Sequence, residues 1–411
     1  MSEQYRRSEL GSGLVVLTEA MPGLRSASLG IWVRAGSVTE RAEEMGVSHL
    51  LEHMVFKGTR RRSARELALV LERVGGSLDA YTTREHTSFQ ARVLDEHVDL
   101  ALDVLGDLVL DPLLRESDLE LEREVVLEEI ATVEDTPDDL CFDLHAATLW
   151  GEHPYGYSIL GTRETVSALR AADLERTHAA LYHPGNLVFA AAGNVDHDRF
   201  VAQVAALVAE RPAGAVAPRP PLPNGRPAGR ERVDRASAQT HIVFGTPCFG
   251  HGDARRFAMV LLSNAFGGGM SSRLFQRVRE ELGLAYAVFS YQSFYRDAGY
   301  VGLYVGTRPD SADRAEGVLR EELARLAGGG LSAEELRDVK GQVKGQIALS
   351  LESSSARLHR LAGTALYDEP FRSLEEVVER VDSVTAEEVA ALAATYYDPD
   401  RQTVLRLGPL T

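Results

Sequence analysis

The chain has 411 residues, 44% of them hydrophobic, which suffices to bury a large core and, by length, to fill two or three domains. A formal net charge of −17 argues against a nucleic-acid binder, because phosphate would be repelled, while it permits affinity for basic peptides. The two cysteines, Cys141 and Cys248, lie far apart without metal-ligand spacing, which predicts a reduced compartment, the cytoplasm. Met1 to Leu10 is polar and charged, so no secretory signal is expected, and no stretch is long and apolar enough to span a bilayer.

Residues 14–18 and 27–34 read as strands, the second broken by Gly36 and Ser37. Gly46 to Phe56 reads as a helix with two faces. Val47, Leu50, Leu51 and Met54 form an apolar stripe for a core, and His49, Glu52, His53 and Phe56 form the other face. Two imidazoles one turn apart can grip one metal ion, and a carboxylate between them can reach a water beside that ion. The spacing is His-x-x-Glu-His, the inverse of the commoner zinc-protease motif. The helix is expected to stop at Gly58, and Ser63 to cap a second, Ala64 to Val74, closed by Gly75 and Gly76. Ser77 to Val93 is strand-like with a turn near Arg84, and a helix runs from His97 to Val109.

Residues 115–134 form a long acidic helix on which Glu122 and Glu129, seven apart, share a face. Thr136 and Pro137 look like an N-cap and first helical residue of a helix to about Leu149. A loop (153–162), a helix (Ala168 to Tyr182), a buried strand (186–193) and a helix (Asp198 to Glu210) complete the half. A hydrolytic zinc site needs three protein ligands and one open position. His86, His97, His145 and His153 are candidates for the third, and the carboxylates of the 115–134 helix are better ones, because a long helix can lie against the motif helix and aim one side chain at the ion.

Residues 211–229 are packed with Pro, Gly and Ala, a semi-rigid linker composition. The second half then repeats the order of the first: strand 240–244, helix 255–266 without the His-x-x-Glu-His, helix 271–282 stopped by Gly283, and strands 286–291 and 299–305 as a hairpin. Helices 312–327 and 333–351, a helix 386–396 capped by Thr385 and a last strand 403–407 follow. The expected fold class is α+β: two similar domains, each a mainly antiparallel sheet packed with helices, arranged as a clamshell. Residues 1–210 form the metal-bearing domain, 211–229 the linker and 230–411 the second domain. A ligand cleft between them is the expected geometry.

Gly46 to Thr59 resembles the signature of the pitrilysin (insulinase, M16) family of zinc metallopeptidases, which includes the mitochondrial processing peptidases. Further matches are Gly75 and Gly76 with Ala80 and Thr82, then His153-Pro154-Tyr155-Gly156, Gly193-Asn194-Val195, Gly267 to Phe275, and Leu351-Glu352-Ser353. The family has a Glu ligand about 76 residues after the motif, and counting from His53 lands on Glu129. The resemblance therefore implies His49, His53 and Glu129 as ligands of one zinc ion per chain, Glu52 as general base, and Glu122 as a supporting acidic residue. It implies Arg279 and Tyr286 as the pair that holds the substrate backbone, with Tyr286 donating to the carbonyl oxygen; Arg277 is a nearby decoy. Strand 78–83, with Ala80 and Thr82, resembles the edge strand on which an extended peptide adds. One departure is Asp79, where the family often has Asn. Asp139 and Asp143, one turn apart, are candidates to meet a basic substrate side chain. Short family members pair into a chamber, and this chain carries both the zinc motif and the Arg/Tyr pair, which implies a homodimer acting on peptides. The competing readings are a protease that needs a different partner subunit, a non-catalytic subunit of the same fold, and a zinc hydrolase of non-peptide substrates.

Overall fold

The computed structural model describes residues 4–11, 13–214, 216–217, 219–223 and 227–409. Two compact units emerge. One comprises residues 1–131, 157–220 and 350–371, and the other 132–156, 221–349 and 372–411. The units are discontinuous in sequence, which differs from the contiguous division at 210 and 230. The change-over at 220/221 does fall inside the Pro/Gly-rich segment, of which residues 215, 218 and 224–226 lie outside the described ones.

The first unit is built on six strands: β1 (Gln4–Glu9), β2 (Val15–Ala20), β3 (Ser26–Val33), β4 (Ser77–Thr82), β5 (Thr87–Leu94) and β6 (Leu187–Gly193). Their order is β1-β2-β6-β3-β5-β4, antiparallel except for the parallel pair β2 and β6. Both faces are covered. On one, Leu29, Ile31, Val33, Phe89 and Phe189 pack against Leu50, Leu51 and Met54 of the motif helix. On the other, Trp32, Val188, Ala190 and Ala192 meet Leu358, Leu361, Ala362 and Ala365 of the helix Ser354–Leu366. This two-sided cover explains why all seven residues of β6 are buried and read as a continuous apolar run instead of an alternating one. Ser28 and Ser354 share a hydrogen bond of 2.9 Å, and Arg357 pairs with Glu19 of β2, fixing the late helix to the early sheet.

The second unit repeats the plan with β7 (Arg230–Asp234), β8 (Thr240–Cys248), β9 (Ala285–Phe294), β10 (Gly299–Thr307) and β11 (Thr403–Gly408), ordered β7-β11-β8-β10-β9. Strand for strand this matches β2-β6-β3-β5-β4, including the single parallel pair, here β7 and β11. The expected internal repeat is therefore present in topology. Each half also contributes one helix to the other half's sheet. Leu140, Cys141 and Leu144 of helix Pro137–Trp150 pack on Val243, Tyr304, Leu405 and Leu407.

Several local expectations change. The helix expected at 168–182 spans Ala171–Leu181, and a separate short helix, Arg163–Ala168, precedes it, the two divided at Leu169, which is not helical (φ −60°, ψ 142°). Thr136 does not cap with its side chain; its hydroxyl donates back to Thr132 O at 2.7 Å. Much of the 271–282 helix is π-helical, over Phe275–Glu281. Strands β1 and β7 and the helices Ser354–Leu366 and Leu374–Ser383 were not expected. Ser63 and Thr385 form capping boxes with Glu66 and Glu388 as the residue pattern predicts. Among the described residues no helix is long and apolar enough to cross a membrane.

Candidate metal centre

The motif helix Val47–Val55 begins at Gly46, which sits at φ +90°. A Cβ there would also lie 2.6 Å from the Leu160 carbonyl oxygen, so the position demands glycine. Glu40 is the N-terminal anchor. Its carboxylate accepts from Gly46 N and Ser48 N, both at 2.8 Å, satisfying donors that the first helical turn leaves without partners. Burial pushes the Glu40 carboxyl up to about 7, against the lowering effect of those two bonds. The apolar stripe Val47, Leu50, Leu51 and Met54 is 3% exposed or less, and this turns His49, Glu52 and His53 to one side.

The long helix Glu116–Glu134 brings Glu129 to the same place. Glu129 Oε2 lies 3.5 Å from His49 Nε2 and 3.6 Å from His53 Nε2. Tetrahedral ligands about 2.0–2.2 Å from zinc stand about 3.3–3.6 Å apart, so Glu129 Oε2 stands from each imidazole at the separation of two ligands of one ion, and one ligand atom from each of the three residues lies within 4.8 Å of the others. Among the described residues no other group of three or more His, Cys, Asp or Glu side chains is arranged to hold a metal. His86, His97, His145 and His153 take no part. His145 is buried against Thr403 O at 3.2 Å, and His153 meets Pro221 O at 2.9 Å.

The surrounding groups set the protonation of the donors. Burial, aided by the neighbouring His53, holds the His49 imidazole down to about 3, so it is neutral and keeps a lone pair for a metal. His53 Nδ1 donates to Glu122 Oε1 at 3.0 Å, which leaves Nε2 free to coordinate. Burial lowers the His53 imidazole, but the Glu122 hydrogen bond and the charges of Glu52, Glu122 and Glu129 outweigh it and raise it. Glu122 is buried and also pairs with Lys57. Burial works to raise the Glu122 carboxyl, yet the bonds from His53 and Lys57 hold it below the ordinary carboxylate range. Glu52 is pushed up by burial, and the hydrogen bond from Thr82 partly offsets that rise. That bond runs from Thr82 Oγ1 to Glu52 Oε2 at 2.6 Å.

Thr82 is thus tied to Glu52 through its side chain. Ala80 packs its methyl inward against the core. Both lie on β4, the last strand of its sheet. Asp79 is exposed, and its Oδ1 accepts from Ala80 N at 3.0 Å. In the second unit, Arg279 and Tyr286 form a pair. The guanidinium lies 4.4 Å from the Tyr286 ring centroid and donates to Tyr286 O at 3.2 Å, while the ring is 77% exposed. Arg277 is bound instead to Glu281 at 2.7 Å, which separates it from its neighbour. Asp139 and Asp143 lie on helix Pro137–Trp150, within the second unit. Sequence reasoning missed Glu40 and Lys57. Lys57 carries a signal, standing four residues after His53, whereas Glu40 acts across a gap of six residues that matches no capping pattern.

Two imidazoles and a carboxylate at zinc spacing, with a second buried carboxylate on the same helix face, define the centre of a zinc metallopeptidase. Two family models match, one described as Insulinase (Peptidase family M16) over residues 15–163 and one as Peptidase M16 inactive domain over 168–343. A protein of Streptomyces coelicolor named as an uncharacterized zinc protease is 41% identical, covering 98% of this chain and 90% of its own. A similarly named protein of Bacillus subtilis is 37% identical over 96% of each chain. The fold matches a Pseudomonas fluorescens structure described as a peptidase M16 inactive domain, with TM-score 0.93, 22% identity and 99% of each chain covered. It also matches a protease from Helicobacter pylori, with TM-score 0.91, 20% identity and 100% of each chain covered. The chain belongs to peptidase family M16.

Proposed function

We propose that the chain is a zinc-dependent endopeptidase that cleaves peptides or unfolded segments. The observation that carries this reading is the convergence of His49 Nε2, His53 Nε2 and Glu129 Oε2 beside a buried Glu52. Zinc held by these three would lower the pKa of water and polarise a substrate carbonyl. Glu52 takes the proton of the attacking water and passes it to the leaving amine, a task that suits a carboxyl raised by burial. Thr82 keeps that carboxylate in one orientation. Glu122 holds His53 in the tautomer that leaves Nε2 unprotonated. An extended peptide adds to β4, whose main-chain groups bind backbone and so tolerate many sequences. Arg279 holds the substrate backbone and the Tyr286 hydroxyl donates to the developing oxyanion. Asp139 and Asp143 meet a basic substrate side chain. Because one chain carries both the ligand set and the Arg/Tyr pair, the working form is a homodimer enclosing two such centres, and its compartment is the cytoplasm.

Digestion of a peptide library by the purified chain, with and without a chelator, tests the reading. Cleavage that a chelator abolishes and zinc restores is expected, and Glu52→Gln is expected to keep zinc and lose hydrolysis. Turnover by Glu52→Gln at the wild-type rate would remove Glu52 as the base. Light scattering at working concentration tests the dimer, and an active monomer would refute it.

A further inference from the structure

The helix Glu116–Glu134 carries an apolar strip that neither its core packing nor the metal centre uses. Leu121 is 71% exposed and Val125 50% exposed. Residues of a helix turn by about 100° each. Measured round the axis from Glu122, Glu129 lies about 20° away, Val125 about 60° and Leu121 about 100°, all in one sense. The core residues Val126, Leu119 and Ile130 lie in the opposite sense, and each is at most 6% exposed. Beyond Leu121 come Glu128 and Glu124, both exposed. The helix therefore presents four bands in order: core, metal centre, apolar strip, acidic strip. Single exposed leucines are ordinary. Two large apolar side chains in line with a metal ligand, Leu121 to Val125 to Glu129 in steps of four, form a surface continuous with the site.

We propose that Val125 and Leu121 form a subsite that receives a hydrophobic side chain of the peptide next to the cleaved bond, and that they set cleavage preference; this rests on the peptidase reading. A peptide crossing the centre beside Glu129 passes over Val125 within one helical turn. Two side chains supply only a small part of the ~800 Å² per partner that a stable protein interface covers, and a patch of that size matches a single side chain of a bound peptide. The acidic band beyond Leu121 disfavours an acidic side chain and leaves the apolar one preferred.

The test uses fluorogenic peptides that differ only in carrying Leu, Ser or Asp at one position on either side of the scissile bond. Wild type is compared with Val125→Ser and Leu121→Ser, and the exposure of both residues keeps the variants folded. A second readout is fluorescence anisotropy of the same peptides bound to zinc-loaded Glu52→Gln, alone and combined with Val125→Ser. At one position wild type is expected to favour Leu over Ser about tenfold in kcat/KM and to cleave Asp least, each variant to reduce the Leu/Ser ratio in kcat/KM by about threefold or more, and Val125→Ser to reduce it by a similar factor in binding. Equal cleavage of Leu and Ser peptides at every position, or an unchanged ratio in both variants, overturns the proposal. If wild type cleaves no peptide, the peptidase reading falls, and the binding arm still decides the strip: a Leu preference lost with Val125→Ser supports it, and equal binding of Leu and Ser peptides refutes it.

Discussion

His53 donates from Nδ1 to Glu122 at 3.0 Å, and Glu122 in turn binds the Lys57 ammonium. The chain Lys57–Glu122–His53 keeps the ring from rotating and keeps the proton off Nε2, the atom that faces Glu129. Partners of metal-bound histidines are commonly worth about 10–100-fold in metal affinity. Glu122→Ala is therefore expected to weaken zinc binding by about that factor, measured by competition with a chromophoric chelator. Lys57→Met, which removes the outer member only, should weaken it less. Equal affinity in Glu122→Ala and wild type would show that packing alone orients His53.

Thr82→Val separates position from protonation at Glu52. Valine matches threonine in shape but removes the donor at 2.6 Å from Glu52 Oε2. Burial raises the Glu52 carboxyl and the Thr82 bond opposes that rise, so its loss moves the carboxyl further up. A base must be deprotonated to act. The acid limb of the kcat/KM profile is thus expected to shift to higher pH in Thr82→Val, with the plateau at high pH less affected than the acid side. A limb that stays in place while the plateau falls would assign Thr82 to substrate contact instead.

Tyr286→Phe tests the second unit's part in the reaction. The ring keeps its stack under Arg279 at 4.4 Å, and the main-chain bond from Arg279 to Tyr286 O is untouched, so the pair stays assembled. Only the exposed hydroxyl is lost. Removing one oxyanion donor commonly costs about 10²–10³ in kcat. A fall of that size in kcat with little change in KM is expected from steady-state kinetics. A rise in KM alone would make Tyr286 a binding residue.

What the residue pattern discloses depends on how local its cause is. The motif helix is legible because Val47, Leu50, Leu51 and Met54 repeat at helical period and bury together. Capping boxes at Ser63 and Thr385 are written within four residues. The candidate ligand Glu129 is not legible in this way. The acidic helix offers many carboxylates, and only the family resemblance selects one. Strand β1, Gln-Tyr-Arg-Arg-Ser-Glu, sits at a sheet edge with only Tyr5 and Ser8 half-buried, so it carries no apolar alternation to read. The helix Ser354–Leu366 has a readable stripe, Leu358, Leu361, Ala362 and Ala365, yet that stripe would look the same on either sheet. Its place in the first unit is decided by partners such as Ser28 and Glu19, more than 300 residues away. The discontinuous units follow from that long-range choice, which no window of sequence contains.

Glu40 gives a prediction in pH. Its carboxyl is raised by burial to about 7 from an ordinary value of 4.5. A carboxyl raised in the folded state binds its proton more tightly there than in the unfolded chain. The stability from that protonated form is complete below about 4.5 and is lost as pH rises through about 7. Glu40→Gln has no titrating group. It also replaces one of the two acceptors serving Gly46 N and Ser48 N with an amide donor, which lowers stability by a pH-independent amount of about 1–3 kcal/mol. The difference in Tm between wild type and Glu40→Gln is therefore expected to favour wild type most near pH 4.5 and to shrink toward pH 7. Taking the difference cancels groups common to both chains, including His49, whose depressed imidazole acts in the opposite sense as the pH falls. A difference that stays constant from pH 4.5 to 7 would mean that the Glu40 carboxylate is ionised throughout this range and anchors the motif helix as a permanent charge.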